Sequence, residues 1–143
     1  MIVRLANHQD LDKILEIEKL SFSNPWDAEF LMNISKDIFL VFGKQQIYGF
    51  LIAGCCHRNI NATILKIAVH PKHRRKGIGT NLLYKLFDIL KDRQIVEVDV
   101  IVKERCEPAM SLYKKVGFKI ISTVPQAPDY DGFCQMRLEL SRD

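Results

Sequence analysis

The residues best placed to do chemistry lie in the run Ile67-Ala68-Val69-His70-Pro71-Lys72-His73-Arg74-Arg75-Lys76-Gly77-Ile78-Gly79-Thr80. An apolar strand-like stretch ends at His70-Pro71, and a basic turn with an Arg-x-x-Gly-x-Gly core (Arg74, Gly77, Gly79) opens a helical pattern. Gly77 and Gly79 let backbone approach a ligand closely and take conformations that a side chain would block. The first N–H groups of a helix have no intrahelical partner and carry partial positive charge, so such a turn is an anion cradle. Arg74, Arg75 and Lys76 add full charges. The chemistry implied is binding of a phosphate or pyrophosphate; the plainer alternative is a solvated basic loop capping an ordinary helix. No Gly-Lys-Ser/Thr follows at P-loop spacing. A turn that follows a fourth strand also fits a dinucleotide fold poorly.

The elements that must hold this turn read clearly from pattern. Ile2 to Leu5 predicts a strand, and Asn7 with Asp10 predicts the start of a helix carrying Leu11, Ile14, Leu15, Ile17 and Glu18. A second short helix is expected near Asp27. Strands are expected over Ile38 to Phe42 and Ile47 to Cys56, joined around Gly43-Lys44-Gln45-Gln46, and over Thr63 to Val69. Ile78, Leu82, Leu83, Leu86, Phe87 and Leu90 mark a long amphipathic helix. A strand over Glu97 to Val102, a helix over Pro108 to Val116 stopped at Gly117, and strands over Phe118 to Val124 and Phe133 to Leu140 complete the chain. The order β-α-α-β-β-β-α-β-α-β-β implies an α/β (α+β) fold, a mixed sheet with helices on its faces. The 143 residues carry no repeat or linker, so one domain over 1–143 is expected.

With these elements in place, the chain resembles the GNAT N-acetyltransferase superfamily. One signature matches across Leu65 to Leu83, and a second at Ala109-Met110-Ser111-Leu112-Tyr113-Lys114-Lys115-Val116-Gly117-Phe118. The resemblance covers nearly the whole chain and is nearest to the ribosomal-protein-alanine N-acetyltransferases. It implies a mostly antiparallel sheet whose one parallel pair, Thr63 to Val69 and Glu97 to Val102, splays apart to receive acetyl-coenzyme A. The backbone of Ile67, Ala68 and Val69 would pair with the pantetheine arm, and that of Arg75, Lys76, Gly77, Ile78, Gly79 and Thr80 would hold the pyrophosphate.

Acetyl transfer to an amine needs a neutral amine, an oxyanion donor and a proton for the leaving thiolate. The resemblance puts Tyr113 beside the sulfur of the cofactor as general acid. The glutamate that serves as base in the ribosomal-protein-alanine enzymes is replaced here by Ile101. Asp99, two residues earlier and so on the same strand face, is the candidate base, acting through water, with Glu97 two before it. Cys106 stands where that family usually has an asparagine that touches the cofactor. Ser21 to Asp27 resembles the segment that lines the acceptor groove of N-terminal acetyltransferases, which makes Phe22 and Trp26 candidate substrate contacts. They could equally staple the first two helices together. Tyr130 would stand on the opposite wall.

The leading function is acetylation of a protein N-terminal α-amine. Acetylation of a small amine (a polyamine, amino sugar or amino acid) and a non-catalytic acyl-coenzyme A-binding regulatory domain stay open. The net charge of +4 suits an anionic small ligand and is too weak and dispersed for nucleic acid. Cys55, Cys56, Cys106 and Cys134 include no Cys-x-x-Cys pair, and Cys55-Cys56-His57 reads as buried thiols rather than a metal site, so no metal is expected. No signal peptide or apolar run of bilayer length is present, so a cytoplasmic protein without membrane contact is expected. The oligomeric state stays open.

Overall fold

In the computed structural model, residues 2–34, 36–56, 60–129 and 131–140 are described. Seven strands form one sheet: β1 (Val3–Leu5), β2 (Ile38–Phe42), β3 (Gly49–Cys56), β4 (Asn61–Val69), β5 (Glu97–Lys103), β6 (Lys119–Val124) and β7 (Phe133–Glu139). Their order is β1-β2-β3-β4-β5-β7-β6, and among the described residues only β4 and β5 run parallel. Helices α1 (Leu11–Ser21) and α2 (Ala28–Asn33) cover one face, and α3 (Ile78–Asp92) and α4 (Glu107–Val116) the other. The element order is the one the sequence pattern predicts.

Strands β2 to β4 are apolar on both sides because both sides are covered. Leu40 and Leu51 join the core under α3, whereas Val41, Phe50, Ile52 and Ala68 meet Ile14, Ile17 and Leu31 of the first two helices. That second core ends at β4. Beyond it only one sheet face is covered, so β5 alternates. Val98, Val100 and Val102 are buried, while Glu97, Asp99, Ile101 and Lys103 face away from them, Ile101 with 64% of its surface exposed. The sheet therefore offers an open polar face over β5, β7 and β6, next to the covered half.

The N-terminal corner is held by a buried charge. Asp10 ends a short 3-10 turn (His8–Asp10) capped by Asn7, and its carboxylate accepts two hydrogen bonds from the Arg4 guanidinium, both 2.8 Å, and one from the Asn7 N–H. These contacts, chiefly the Arg4 bonds, hold the Asp10 carboxyl below the usual carboxylate range. A carboxylate depressed in the folded state contributes stability above its unfolded pKa of about 4 and loses it as pH falls through the lower native value. Asp10→Asn is therefore expected to lower unfolding free energy at pH 7 by about 1–3 kcal/mol. The same change should flatten the stability loss between about pH 5 and 2, measured by urea unfolding across that range. An unchanged acid profile would remove Asp10 from the acid sensitivity.

Candidate functional site

Strand β4 is paired with β3 along its length, but the register slips once: Lys66 lies opposite Ile52 and Ile64 opposite Ala53, which leaves Leu65 as an extra, bulged residue. A bulge bends its strand and sharpens the twist. On the other edge the parallel ladder with β5 runs only from Asn61–Glu97 to Ile64–Val100. Past that point Leu65 to Val69 have no ladder partner on this edge among the described residues, and Ile101 to Lys103 face the same gap. The two strands split, and the backbone of Ile67, Ala68 and Val69 lines one side of the opening.

The basic turn lies at the end of β4. A 3-10 turn (Pro71–His73) precedes it, and α3 begins at Ile78. Arg75 and Gly77 both take left-handed backbone conformations, with φ of 65° and 80°. That conformation is uncommon for an arginine and ordinary for a glycine. A Cβ at Gly77 would meet nothing within 4 Å, so the turn is open to solvent there. The helix has no side-chain cap, and its first bond is Asn81 N–H to the Gly77 carbonyl. The N–H groups of Gly77, Ile78, Gly79 and Thr80 find no acceptor among the described residues. Orphan donors at a helix start, with Arg75 and Lys76 exposed beside them, fit a pyrophosphate. Arg74 is placed differently: its guanidinium donates to the Val69 carbonyl at 3.0 Å and to the Ser21 hydroxyl at 3.3 Å. It braces the turn against α1 and takes up one strand carbonyl beside the split.

Gly79 has a second reason to be glycine. A Cβ there would come within 3.1 Å of Leu112 on α4, so the two helices touch at this point. Leu112 precedes Tyr113, which is 3% exposed and packs its ring edge-on against Phe118. No hydrogen bond to the Tyr113 hydroxyl is found among the described residues. Burial, then the nearby Cys106 thiol, pushes this hydroxyl well above the usual tyrosine range, so it is protonated at neutral pH. Cys106 caps α4 two turns before Tyr113, on the same helical face, with an exposed free thiol.

Asp99 is not a free carboxylate. Arg137 on β7 holds it in a fork, Nε to Oδ1 at 2.7 Å and a terminal nitrogen to Oδ2 at 3.0 Å, and Gln135 Nε2 adds a third bond at 3.2 Å. These bonds, that of Arg137 first, keep its pKa below the ordinary aspartate value, which makes it a weak proton acceptor at neutral pH. Glu97 lies 3.6 Å from the same guanidinium.

Phe22 and Trp26 are occupied by a residue that sequence reasoning missed. The Lys66 ammonium stands 3.9 Å from the centroid of each ring and 2.8 Å from Glu18, which is 2% exposed and also accepts the Trp26 N–H. The aromatic pair thus clamps β4 to α1. Nothing in the pattern around Lys66 announces the contact; only the bulge at Leu65, which resets the strand's facing, brings it there. Arg137 and Gln135 were missed too, although their alternation on β7 opposite Asp99 and Ile101 was readable in principle. Tyr130 and His57 lie outside the described residues.

Residues 35–120, more than half of the chain, match the family model for an acetyltransferase (GNAT) domain. The ribosomal protein bS18-alanine N-acetyltransferase of Haemophilus influenzae is 32% identical over 113 residues, covering 76% of this chain and 75% of that protein. Among solved structures, the ribosomal-protein alanine N-acetyltransferase of Escherichia coli superposes with a TM-score of 0.85 at 23% identity, covering 97% of this chain and 93% of that one. A candidate acetyltransferase from Salmonella typhimurium, solved with its cofactor acetyl-CoA, superposes with a TM-score of 0.77 at 20% identity, covering 99% and 94%.

Proposed function

The chain belongs to the GNAT acetyltransferase family, and from that premise we propose that it acetylates the α-amine of a protein N-terminus, using acetyl-coenzyme A, with Tyr113 as general acid. The observation that carries this reading is the split between β4 and β5, which opens beside a helix start with orphan N–H groups; the buried, protonated Tyr113 lies on α4, the helix that approaches that start at Gly79. The free backbone of Ile67 and Ala68 would pair with the amide groups of the pantetheine arm. The N–H groups from Gly77 to Thr80 would hold the pyrophosphate, with Arg75 and Lys76 beside it. The thioester supplies an electrophilic carbonyl: the amine nitrogen bonds to its carbon, and the C–S bond breaks with its electron pair going to sulfur. Tyr113 holds its proton until charge develops on that sulfur and then donates it. Cys106, two turns away on the same face of α4, would border the same end of the cofactor.

The acceptor follows from proton accounting. Ile101 cannot take a proton, and Asp99 is tied to Arg137 and Gln135. A side chain ready to deprotonate an ammonium is missing among the residues of β5 that face the split. An α-amine, with a reference pKa near 8, is roughly one-tenth neutral at pH 7, whereas a lysine near 10.4 is neutral in well under a thousandth of molecules. An enzyme without a strong base favours the amine that sheds its proton to water unaided. The ribosomal-protein-alanine activity named for the Haemophilus influenzae relative is of this kind. The test compares peptides with free and acetyl-blocked N-termini, each with one internal lysine. Free N-termini are expected to react at least about ten times faster at pH 7. Equal rates would move the acceptor to lysine, and cofactor binding without acetylation of any amine would leave a regulatory binding domain.

A further inference from the structure

The acetyltransferase reading leaves one task unassigned on β5, where Ile101 offers nothing to the incoming amine. Directly across the ladder from Ile101, on β7, stands Gln135, and Ser122 of β6 lies opposite it on the other side. All three share the open polar face of the sheet, one residue past the last β4–β5 pair at Ile64–Val100. Neighbouring strands are about 4.8 Å apart, and the Gln135 amide reaches Asp99 on β5, so the side chain lies over β5, the strand that borders the split.

The orientation of that amide follows from chemistry. Gln135 Nε2 lies 3.2 Å from Asp99 Oδ2, and an ionised carboxylate only accepts, so the nitrogen end must face Asp99. Asp99 is itself locked by the two-pronged Arg137 contact. The amide oxygen of Gln135 therefore points away from Asp99 and has no donor among the described residues. An acceptor on a half-buried residue, fixed by a charged anchor and without a partner among the described residues, over the strand that borders the split, matches an N–H donor arriving there.

We propose that Gln135 Oε1 accepts a hydrogen bond from an N–H of the acceptor amine and aims the nitrogen lone pair into the split, with Asp99 and Arg137 as positioning residues behind it. The inference rests on the acetyltransferase reading above and names the group on this chain that binds the amine. The proton count closes without a side-chain base: the ammonium loses one proton to water before attack, the nitrogen loses a second to water as the amide forms, Tyr113 gives its proton to the departing sulfur and regains one from water, and Gln135 holds the amine without gaining or losing a proton. The polar contact is thereby supplied from β7 instead of from β5.

The experiment uses an alanine-initiated hexapeptide as acceptor and two variants. Gln135→Met keeps the length and removes the acceptor. It is expected to lower kcat/KM for the peptide about ten- to hundred-fold and to weaken peptide binding measured by fluorescence anisotropy without acetyl-coenzyme A by a similar factor. Affinity for acetyl-coenzyme A and the melting temperature should stay unchanged. Gln135→Glu places a carboxylate at the same point, among Asp99, Glu97, Arg137 and Lys119, and the amine can then lose its proton to the protein. Its kcat/KM should begin to rise at a pH at least about one unit lower than in the wild type, a change that a packing role would not produce. Wild-type kinetics and peptide affinity in a folded Gln135→Met protein, or an unmoved pH profile in Gln135→Glu, overturns the proposal alone. A wild-type protein that binds acetyl-coenzyme A and acetylates no amine overturns the parent reading, and this proposal with it.

Discussion

Tyr113→Phe is expected to lower the rate of the chemical step by about a hundred- to ten-thousand-fold, the usual contribution of a positioned acid, with little change in acetyl-coenzyme A affinity. The substitution removes one oxygen and leaves the ring. The ring contact with Phe118 at 5.3 Å, and through Phe118 the link to Phe87 at 6.1 Å, therefore survive. The hydroxyl has no hydrogen-bond partner to strand among the described residues, so the fold should lose little. A buried tyrosine whose pKa is pushed up by desolvation stays protonated across the working range. Its loss should therefore scale the whole pH profile down instead of deleting one limb. Single-turnover rapid quench is the right measurement, because slow product release could hide the chemical step at steady state. A wild-type single-turnover rate in the variant would remove Tyr113 from the mechanism.

Loss of the pyrophosphate contacts should be nearly as costly. Hydrogen bonds to a charged partner contribute about 1.5–3 kcal/mol each. Two of the orphan N–H groups between Gly77 and Thr80 would then account for about a hundred- to ten-thousand-fold in affinity. S-acetyl-N-acetylcysteamine keeps the thioester and lacks the pyrophosphate, and wild-type protein should bind it weaker by at least that factor in calorimetry. Gly79→Leu should abolish binding of the full cofactor. Its side chain would collide with Leu112 and approach Ile67, so the helix start must shift relative to both α4 and the free edge of β4. Circular dichroism and a thermal melt show whether the variant is folded. Equal wild-type affinity for the full and truncated thioesters would detach the turn from the pyrophosphate, and a folded Gly79→Leu protein with unchanged affinity would do the same.

Much of this protein was legible along the chain. Ile78, Leu82, Leu83, Leu86, Phe87 and Leu90 announce α3 because a 3.6-residue period survives as a spacing in sequence, and all six are buried. The turn from Arg74 to Thr80 was legible for a related reason: a helix start, its glycines and its unpaired N–H groups are all set by contiguous residues. Hence both the element order and the turn with its unpaired N–H groups are local properties. The use of individual side chains was not. Arg74 reads as a ligand charge and is spent on Val69 and Ser21; Asp99 reads as a candidate base and is held by Arg137; Phe22 and Trp26 read as groove walls or as a staple between helices, and enclose Lys66. Each of these outcomes depends on a partner at least five residues away and most on one more than thirty away. The pairing is chosen by strand register and by the bulge at Leu65, which no local period encodes. The sequence by itself determined the elements, their order and the open turn at the start of α3. Tertiary structure decided which charges are free to meet a substrate, because a charge near the sheet lowers its energy by pairing with whatever the register sets opposite it.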